Sequence, residues 1–335
     1  MQDHIECLYF HSSQFPDQIA REHEESFLQR RINHKFHYHT TYQSQQWLDL
    51  HNTYSPAQDN QGYHQAYKQC FYTALDRLNH DTFDFISLGC GGGEKEVLLH
   101  TMLTRAKQTS IAKYYPVDVS HSLTITAAQK MRQEDSELII QPMVCDLLHT
   151  EELLSYMPRS GGARLITFFG MIPNFNPDQI LPVLTHFLAP GDLLLFSANL
   201  APGDHYASGV ESVLPQYNNS KTKSWLMSVL QDVGISQSDG EITVTIETDS
   251  AEPGVDTTSL KKITAYFTVK RLIRLKINDK TIHWQPGERV QLFFSYRYTT
   301  SLVKSYLKKY NIQVLHDWEF SNQEEGLYLC RRVSG

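Results

Sequence analysis

The sequence has few cysteines, no long apolar run and no excess of basic side chains. Its five cysteines are scattered over 335 residues and form no C-x-x-C pair, so neither a zinc site nor a disulfide framework is indicated. No apolar run approaches the ~20 residues of a membrane helix. The 30 basic and 37 acidic side chains give a net charge of -7, which disfavours a nucleic-acid backbone as the main partner.

The residues from Met1 to Glu6 lack the basic region and the apolar core of a secretory signal peptide. Together with the sparse cysteines, this predicts a protein of the reducing cytoplasm. A chain of this length can form one large domain or two ordinary ones.

The stretch from Phe83 to Lys95 organises the chain. An apolar, β-prone run ends at Gly89, Cys90 and three more glycines follow, and a helical pattern begins at once. Strand, glycine turn and helix form the ligand-approach unit of a doubly wound α/β fold, because glycine lets the backbone turn sharply beside a ligand. The dinucleotide pattern G-x-G-x-x-G fails at Glu94, whereas the shorter G-x-G-x-G is common in S-adenosylmethionine (SAM) methyltransferases. A plain tight turn in an unrelated enzyme is the alternative.

Strand and helix patterns alternate regularly after residue 83. This alternation predicts a parallel sheet, which would bind its ligand at the carboxyl ends of the strands. The predicted strands are 83–88, 112–118, 138–144, 164–169 and 193–197.

After residue 200 the pattern changes. Residues 201–223 are loop-like in composition, and later segments alternate polar and apolar residues as antiparallel strands do. These segments are 241–248, 261–277 and 289–298, followed by a predicted helix at 299–310 and strands at 312–320 and 326–332.

The helix and strand pair that complete a methyltransferase core are therefore found only at the end of the chain. We predict an α/β fold in which residues 60–200 and 287–335 form the core. Residues 1–59 and 201–286 are predicted to form a second, α+β lobe that covers the ligand site.

Acidic residues end two of the predicted parallel strands. Asp118 ends the second strand and Asp146 ends the third. An ionised carboxylate only accepts hydrogen bonds, so Asp118 suits the ribose hydroxyls of an adenosine and Asp146 suits the adenine amine. Lys95 is unusual because a cation in the first turn of a helix opposes the helix dipole; it could meet the carboxylate of SAM. Buried or capping aspartates and a solvated lysine are the alternatives.

Four segments carry a resemblance to a known family: Leu88–Lys95, Tyr115–Ser120, Phe168–Pro177 and Leu188–Leu200. The sequence resembles the histidine-specific SAM-dependent methyltransferases of the ergothioneine pathway, which trimethylate the α-amine of histidine. Relatives of that family include amino-acid Nα-methyltransferases and fungal tryptophan-derivative N-methyltransferases. The resemblance follows nearly the whole chain, and it implies the Rossmann-like, doubly wound fold of class I methyltransferases with SAM as cofactor.

The resemblance also implies roles for individual residues. Tyr38 falls where the family has a tyrosine that contacts SAM, and Tyr54 lies in the segment that borders the substrate. Asn174 and Tyr217 fall where the family holds the substrate carboxylate; without the resemblance they would be a turn residue and a surface aromatic. The predicted cofactor site comprises Tyr38, Gly89, Cys90, Gly91, Lys95, Asp118, Val119, Asp146, Leu147, Phe169 and Gly170, and the predicted substrate site comprises Tyr54, Asn174, Tyr217, Phe293 and Ser295.

One departure from the family bears on the substrate. The family's histidine-reading strand has a glutamate and, two positions later, a serine. Here the serine position is Ser295, but the glutamate position is Phe293. An unpaired polar N–H costs about 1–3 kcal/mol on burial, so histidine is predicted to be a poor substrate and an aromatic or apolar side chain a better one. The alternative is that Phe293 belongs to the core and the register is off by two.

The sequence therefore predicts a SAM-dependent N-methyltransferase that acts on the amine of an amino acid or a small derivative. The transfer would be an in-line displacement, helped mainly by positioning and desolvation. No general base is predicted, and His37, His39 and His51 are interpreted as structural or surface residues. The alternatives are a small-molecule O- or S-methyltransferase, a SAM-binding module without catalysis and, more distantly, a Rossmann oxidoreductase.

Overall fold

The computed structural model describes residues 7–54, 61–78, 80–106, 109–249 and 259–333. None of the helices in these ranges combines the length and the apolar character that crossing a bilayer requires. The first elements are β1 (Tyr9–Phe10), α1 (Pro16–Leu28), α2 (Thr41–Tyr54), α3 (Gln61–Leu78), β2 (Thr82–Leu88), α4 (Glu94–Ala106), β3 (Ser110–Asp118), α5 (His121–Glu134), β4 (Ile139–Ile140), β5 (Met143–Val144), β6 (Ala163–Phe168), α6 (Pro177–Phe187) and β7 (Leu193–Asn199).

Side chains cap the first turns of α5 and α6. The side chain of Ser120 accepts a hydrogen bond from the Leu123 amide, and Pro177 occupies the first position of α6 behind the capping Asn176. The remaining elements are α7 (Tyr206–Ser212), α8 (Ser220–Gln231), β8 (Gly240–Thr248), β9 (Lys261–Val269), β10 (Ile273–Ile277), β11 (Lys280–Trp284), β12 (Arg289–Arg297), α9 (Thr300–Lys309), β13 (Ile312–Glu319) and β14 (Glu325–Arg332).

The larger sheet is mostly parallel. Its strand order is β1-β5-β3-β2-β6-β7-β14-β13, with β4 paired to β3. Pairs from β1 to β7 are parallel, whereas β14 pairs antiparallel with β7 and β13. Strand β2 therefore lies in the centre, and the carboxyl ends of β3 and β6 flank the glycines that follow it. The predicted doubly wound α/β class is confirmed.

Helices cover both faces of this sheet. Side chains of β2 alternate between the faces, as a strand requires. Phe83 and Phe85 pack into a core with α3, α4 and α5, while Ile86 and Leu88 pack into a core with α6 and α9. The strand at the base of the glycine loop is thus buried on both sides.

A smaller antiparallel sheet has the order β12-β9-β8, and β10 and β11 form a hairpin beside it. The N-terminal segment packs into the same apolar core: Phe27 and Phe36 cluster with Trp225 of α8 and Trp284 of β11. The rings of Phe27 and Trp284 are stacked with their centroids 5.7 Å apart. Residues far apart in sequence therefore build one core.

Several strands differ from the predicted pattern. Strand β12 pairs with β9 in the smaller sheet, while its Tyr296 packs into a core of the larger sheet. Conversely, β1 joins the larger sheet through β5. The predicted strand 138–144 is broken at Gln141 and Pro142, because proline has no amide hydrogen to pair. The two-lobe division itself remains a prediction.

Two further sequence predictions need correction. The predicted strand 261–277 is two strands, because β10 turns away after Val269 to pair with β11. The loop-like segment 201–223 contains the short helix α7 and the start of α8.

Candidate active site

The glycine loop after β2 has a backbone conformation that residues other than glycine rarely adopt. Gly89, Gly91 and Gly93 have φ values of 69°, 52° and 79°. A Cβ on Gly89 would lie 2.6 Å from Cγ of Met171, and one on Gly91 would lie 3.2 Å from the Trp47 ring. Three glycines of the loop therefore have left-handed backbone conformations, and the side chains of Met171 and Trp47 pack closely against the loop.

Asp118 fixes this loop from the end of β3. One carboxylate oxygen accepts the Gly91 amide at 3.0 Å, and the other accepts the Ser120 amide at 2.9 Å. Burial raises the pKa of Asp118 to about 6, against the opposing effect of these hydrogen bonds. Burial also raises the pKa of Tyr38, and the negative charge of Asp118 raises it further. The predicted cofactor residue Tyr38 is therefore influenced by the same carboxylate that fixes the glycine loop.

Asp146 lies at the end of β5 and joins the N-terminal segment to the sheet. Its carboxylate lies 3.5 Å from Nζ of Lys35, which also pairs with Glu22. It accepts the Leu148 amide at 3.0 Å. Burial opposes ionisation of Asp146, but His149 and the charge of Lys35 hold its pKa below the usual value. The side chain is thus an ionised acceptor at the strand end.

Lys95 lies in an aromatic corner. Its Nζ atom is 4.8 Å from the ring centroid of Tyr67 and 5.2 Å from that of Phe169. The Tyr67 hydroxyl donates to Glu325 at 2.9 Å. A cation and a carboxylate therefore approach the two parts of one tyrosine, its ring and its hydroxyl.

The predicted substrate residues Tyr217 and Ser295 are in direct contact. Their hydroxyl oxygens lie 2.9 Å apart, and a guanidinium nitrogen of Arg297 donates to the Tyr217 hydroxyl at 2.7 Å. Arg159 and Arg271 pair with aspartates, whereas Arg297 has no acidic partner among the described residues. Arg297 is only 3% exposed, and its Nε atom is buried without a hydrogen-bond partner. This corner carries a buried positive charge.

Phe293 lies among rings. Its centroid is 4.9 Å from that of His34, 5.8 Å from Trp225 and 6.1 Å from Tyr217. Burial and the neighbouring His37 lower the pKa of His34 to about 3, so its imidazole is neutral. The surroundings of Phe293 therefore consist of aromatic and neutral groups.

A single cavity of about 950 Å³ joins these features. Asn174, in a short 3-10 turn after β6, lies on its wall. Tyr54 is the last residue of α2, but its side chain lies outside the described residues. The cavity is lined by every other predicted site residue: Tyr38, Gly89, Cys90, Gly91, Lys95, Asp118, Val119, Asp146, Leu147, Phe169, Gly170, Asn174, Tyr217, Phe293 and Ser295.

Arg297, Tyr67 and Glu325 are among the cavity residues that the sequence did not predict. Arg297 follows Phe293 and Ser295 at the two-residue period of one strand face, so that spacing could have revealed it. Tyr67 and Glu325 belong to no local motif. They meet only because β14 pairs with β7 beneath α3.

The donor set fits SAM. Asp118 offers carboxylate oxygens for ribose hydroxyls, and Asp146 is an ionised acceptor for an amine. Lys95 supplies a positive charge for a carboxylate. A Cβ on Gly91 would fill part of the space between the loop and the Trp47 ring. Glycine at this position therefore leaves room for a ligand to approach the backbone. Polar groups for the ribose, the adenine amine and the carboxylate of this cofactor therefore line one cavity.

One protein-family model matches most of the chain. The family described as "histidine-specific methyltransferase, SAM-dependent" matches residues 54–332, a range that contains every predicted site residue except Tyr38. No curated protein matches the sequence.

Solved structures with similar chains include a SAM-dependent methyltransferase from Clostridium acetobutylicum, at 12% identity over 87% of this chain and 99% of that one, with a TM-score of 0.46. Another is the magnesium protoporphyrin IX methyltransferase from Synechocystis with bound S-adenosylhomocysteine (SAH), at 11% identity over 88% of this chain and 95% of that one, with a TM-score of 0.44. A third is the 1,6-didemethyltoxoflavin-N1-methyltransferase from Burkholderia thailandensis, at 9% identity over 93% of this chain and 91% of that one, also with a TM-score of 0.44.

Proposed function

The chain belongs to the histidine-specific SAM-dependent methyltransferase family, and from that premise we propose that it methylates the amine of an amino acid or a small amino-acid derivative other than histidine. SAM is its cofactor and methyl transfer is its reaction class. The proposal concerns the acceptor, for which the cavity offers a charged corner and an aromatic wall.

The observation that carries the proposal is the contact between Tyr217 and Arg297 inside the cavity that also holds the glycine loop. A buried guanidinium without an acidic partner favours an anionic ligand, because a lone buried charge is costly. A carboxylate is the anion that an amino acid brings. Asn174, on the same cavity wall, can donate a further hydrogen bond from its amide.

The surroundings of Phe293 support the exclusion of histidine. The resemblance implies that Phe293 stands where the family has a glutamate that would accept a hydrogen bond from an imidazole. The rings of Trp225 and Tyr217 lie near Phe293. His34 is neutral, so it brings no negative charge that would replace the glutamate. An aromatic or apolar substrate side chain would bury its surface here without leaving a polar group unpaired.

The residues of the chain bind and orient the reactants. When bound, SAM supplies a methyl group on a sulfonium centre that is already activated for displacement. Asp118 anchors one end of the site, Tyr217 and Arg297 hold the acceptor at the other, and the rings of Tyr38, Trp47 and Trp225 exclude water. We assign no general base. The ring N–H of His37 donates to the Leu292 carbonyl at 2.7 Å, outside the cavity wall. His34 and His51 line the cavity, but burial lowers their pKa values to about 3 and about 4, so both are weak bases. The amine would enter unprotonated.

A substrate panel tests the proposal. The purified protein is incubated with SAM and single amino acids, including histidine, phenylalanine, tryptophan and leucine, and release of SAH is measured. Turnover of an aromatic or apolar amino acid above histidine is expected, with mass spectrometry placing the methyl group on nitrogen. Fastest turnover of histidine would refute the specificity, and turnover only of compounds that offer a hydroxyl or thiol would refute the proposed acceptor.

A further inference from the structure

Lys95 and Glu325 meet at Tyr67, although 230 positions separate them in the sequence. Lys95 lies in the first turn of α4, with its Nζ atom 4.8 Å from the Tyr67 ring centroid. Glu325 begins β14 opposite Asn199 and accepts the Tyr67 hydroxyl at 2.9 Å. Both side chains line the cavity. Two opposite charges therefore share one wall of the site.

Neither charge forms an ion pair with another described residue. Glu325 is 7% exposed, and its side chain is held by the neutral hydroxyls of Tyr67 and Tyr63. Lys95 contacts aromatic rings. A buried carboxylate held only by neutral donors is expensive unless a cation completes it. A ligand with a cation beside Glu325 and an anion beside Lys95 would therefore complement this wall. A zwitterionic amino-acid group carries these two charges.

The Lys95–Glu325 wall lies on the opposite side of β2 from Asp118, the predicted ribose-binding residue. Asp118 lies on β3, to one side of β2, whereas Phe169 follows β6 and Glu325 pairs beside β7, to the other side. The adenosine anchor and the Lys95–Glu325 wall therefore flank the glycine loop from opposite directions. SAM carries its ribose at one end and a zwitterionic amino-acid group at the other.

We propose that Glu325 binds the α-ammonium group of SAM, with Tyr67 orienting Glu325 and with the SAM carboxylate at Lys95, as the sequence already predicts. Glu325 is then a cofactor-binding residue of this chain. The inference depends on SAM as cofactor and is independent of which acceptor is methylated.

A cycle of variants and ligands tests the proposal by isothermal titration calorimetry, without turnover. The ligands are SAH and the SAH analogue that lacks only the α-amine. Glu325→Gln should weaken SAH binding by about 10- to 100-fold, as expected for loss of a charged hydrogen-bond partner, and should change binding of the deaminated analogue less than about twofold. The control is Glu319→Gln, which removes the same charge from an exposed position on the neighbouring β13.

Because both ligands bind the same variant, damage to the fold would weaken both. Equal losses for the two ligands would therefore overturn the proposal. So would unchanged SAH affinity together with a raised KM for the acceptor, since Glu325 would then bind the acceptor amine. If Glu325→Gln fails to fold, the unmodified protein still decides: removal of the amine from SAH should weaken binding at least about tenfold, and equal affinities would refute the assignment.

Discussion

Arg297 donates a hydrogen bond to the hydroxyl of Tyr217 at 2.7 Å, and that hydroxyl lies 2.9 Å from Oγ of Ser295. With its oxygen accepting from Arg297, the tyrosine hydroxyl is free to direct its own proton to Ser295 or to a ligand. The buried guanidinium therefore acts on the cavity through Tyr217 as well as through its charge. A carboxylate at this corner would meet a polarised donor.

The first prediction concerns Arg297. Arg297→Met should raise the KM for the amino-acid substrate about 10- to 100-fold, because the anion loses a charged partner. SAH affinity, measured by calorimetry, should stay nearly unchanged. Arg289→Met is the matched control, since Arg289 begins the same strand but is exposed and packs over the ring of Tyr266. An unchanged KM in Arg297→Met would show that the guanidinium only supports the loop around Gln216.

The second prediction concerns pH. Burial raises the pKa of Asp118 from its usual 3.8 to about 6, so its carboxylate is ionised above that pH and protonated below it. Ribose hydroxyls need the ionised acceptor, so SAH affinity should fall roughly tenfold as the pH drops from about 7 to about 5. Tyr38 and Cys90, whose pKa values burial raises, remain neutral throughout this range.

The effect on folding has the opposite sign. Because the pKa of Asp118 is raised in the folded state, its contribution to folding stability is fully present below the unfolded pKa and is lost as the pH rises through about 6.

Asp118→Asn tests the prediction for ligand binding. It should weaken SAH binding at neutral pH and flatten the pH dependence of SAH affinity, measured by calorimetric titration at each pH. A pH slope identical to that of the unmodified protein would exclude Asp118 as its source.

The third prediction separates backbone strain from ligand contact. Gly91 and Gly191 both have positive φ, 52° and 91°, but a Cβ on Gly91 would lie 3.2 Å from Trp47 whereas one on Gly191 would meet nothing within 4 Å. Each change to alanine should cost about 1–2 kcal/mol of unfolding free energy in urea titrations. Only Gly91→Ala should also weaken SAH, by about tenfold or more. Equal SAH affinity in both variants would remove the loop from the binding site.

The sequence could predict the parts of this site that depend on local pattern. The glycine loop and Asp118 follow from one strand and its neighbour, because parallel strands end at the same edge. Arg297 was within reach through the alternation along β12. Glu325 was not, because its place depends on the pairing of β14 with β7 and on the packing of α3 above them. The same holds for the pairing of β12, because its partner β9 cannot be predicted from the residues of β12 alone.

The last prediction reverses the substrate preference. Phe293→Glu would place a carboxylate among His34, Trp225 and Tyr217, where an imidazole N–H could donate to it. The ratio of kcat/KM for histidine to that for an aromatic amino acid should rise about tenfold or more, since one satisfied hydrogen bond to a charged group contributes about 1.5–3 kcal/mol. The kcat/KM values for both substrates are measured in one enzyme preparation by release of SAH, so a loss of folded enzyme cancels in their ratio.

Phe293→Leu provides the control for this prediction. It removes the ring contacts at 4.9 Å to His34 and 5.8 Å to Trp225 but adds no acceptor. Aromatic substrates should therefore lose affinity in both variants, while the gain for histidine should occur only with glutamate. If the two variants change the ratio equally, the effect comes from lost packing, and Phe293 does not read the substrate side chain. If neither changes it, Phe293 is a core residue whose edge happens to reach the cavity.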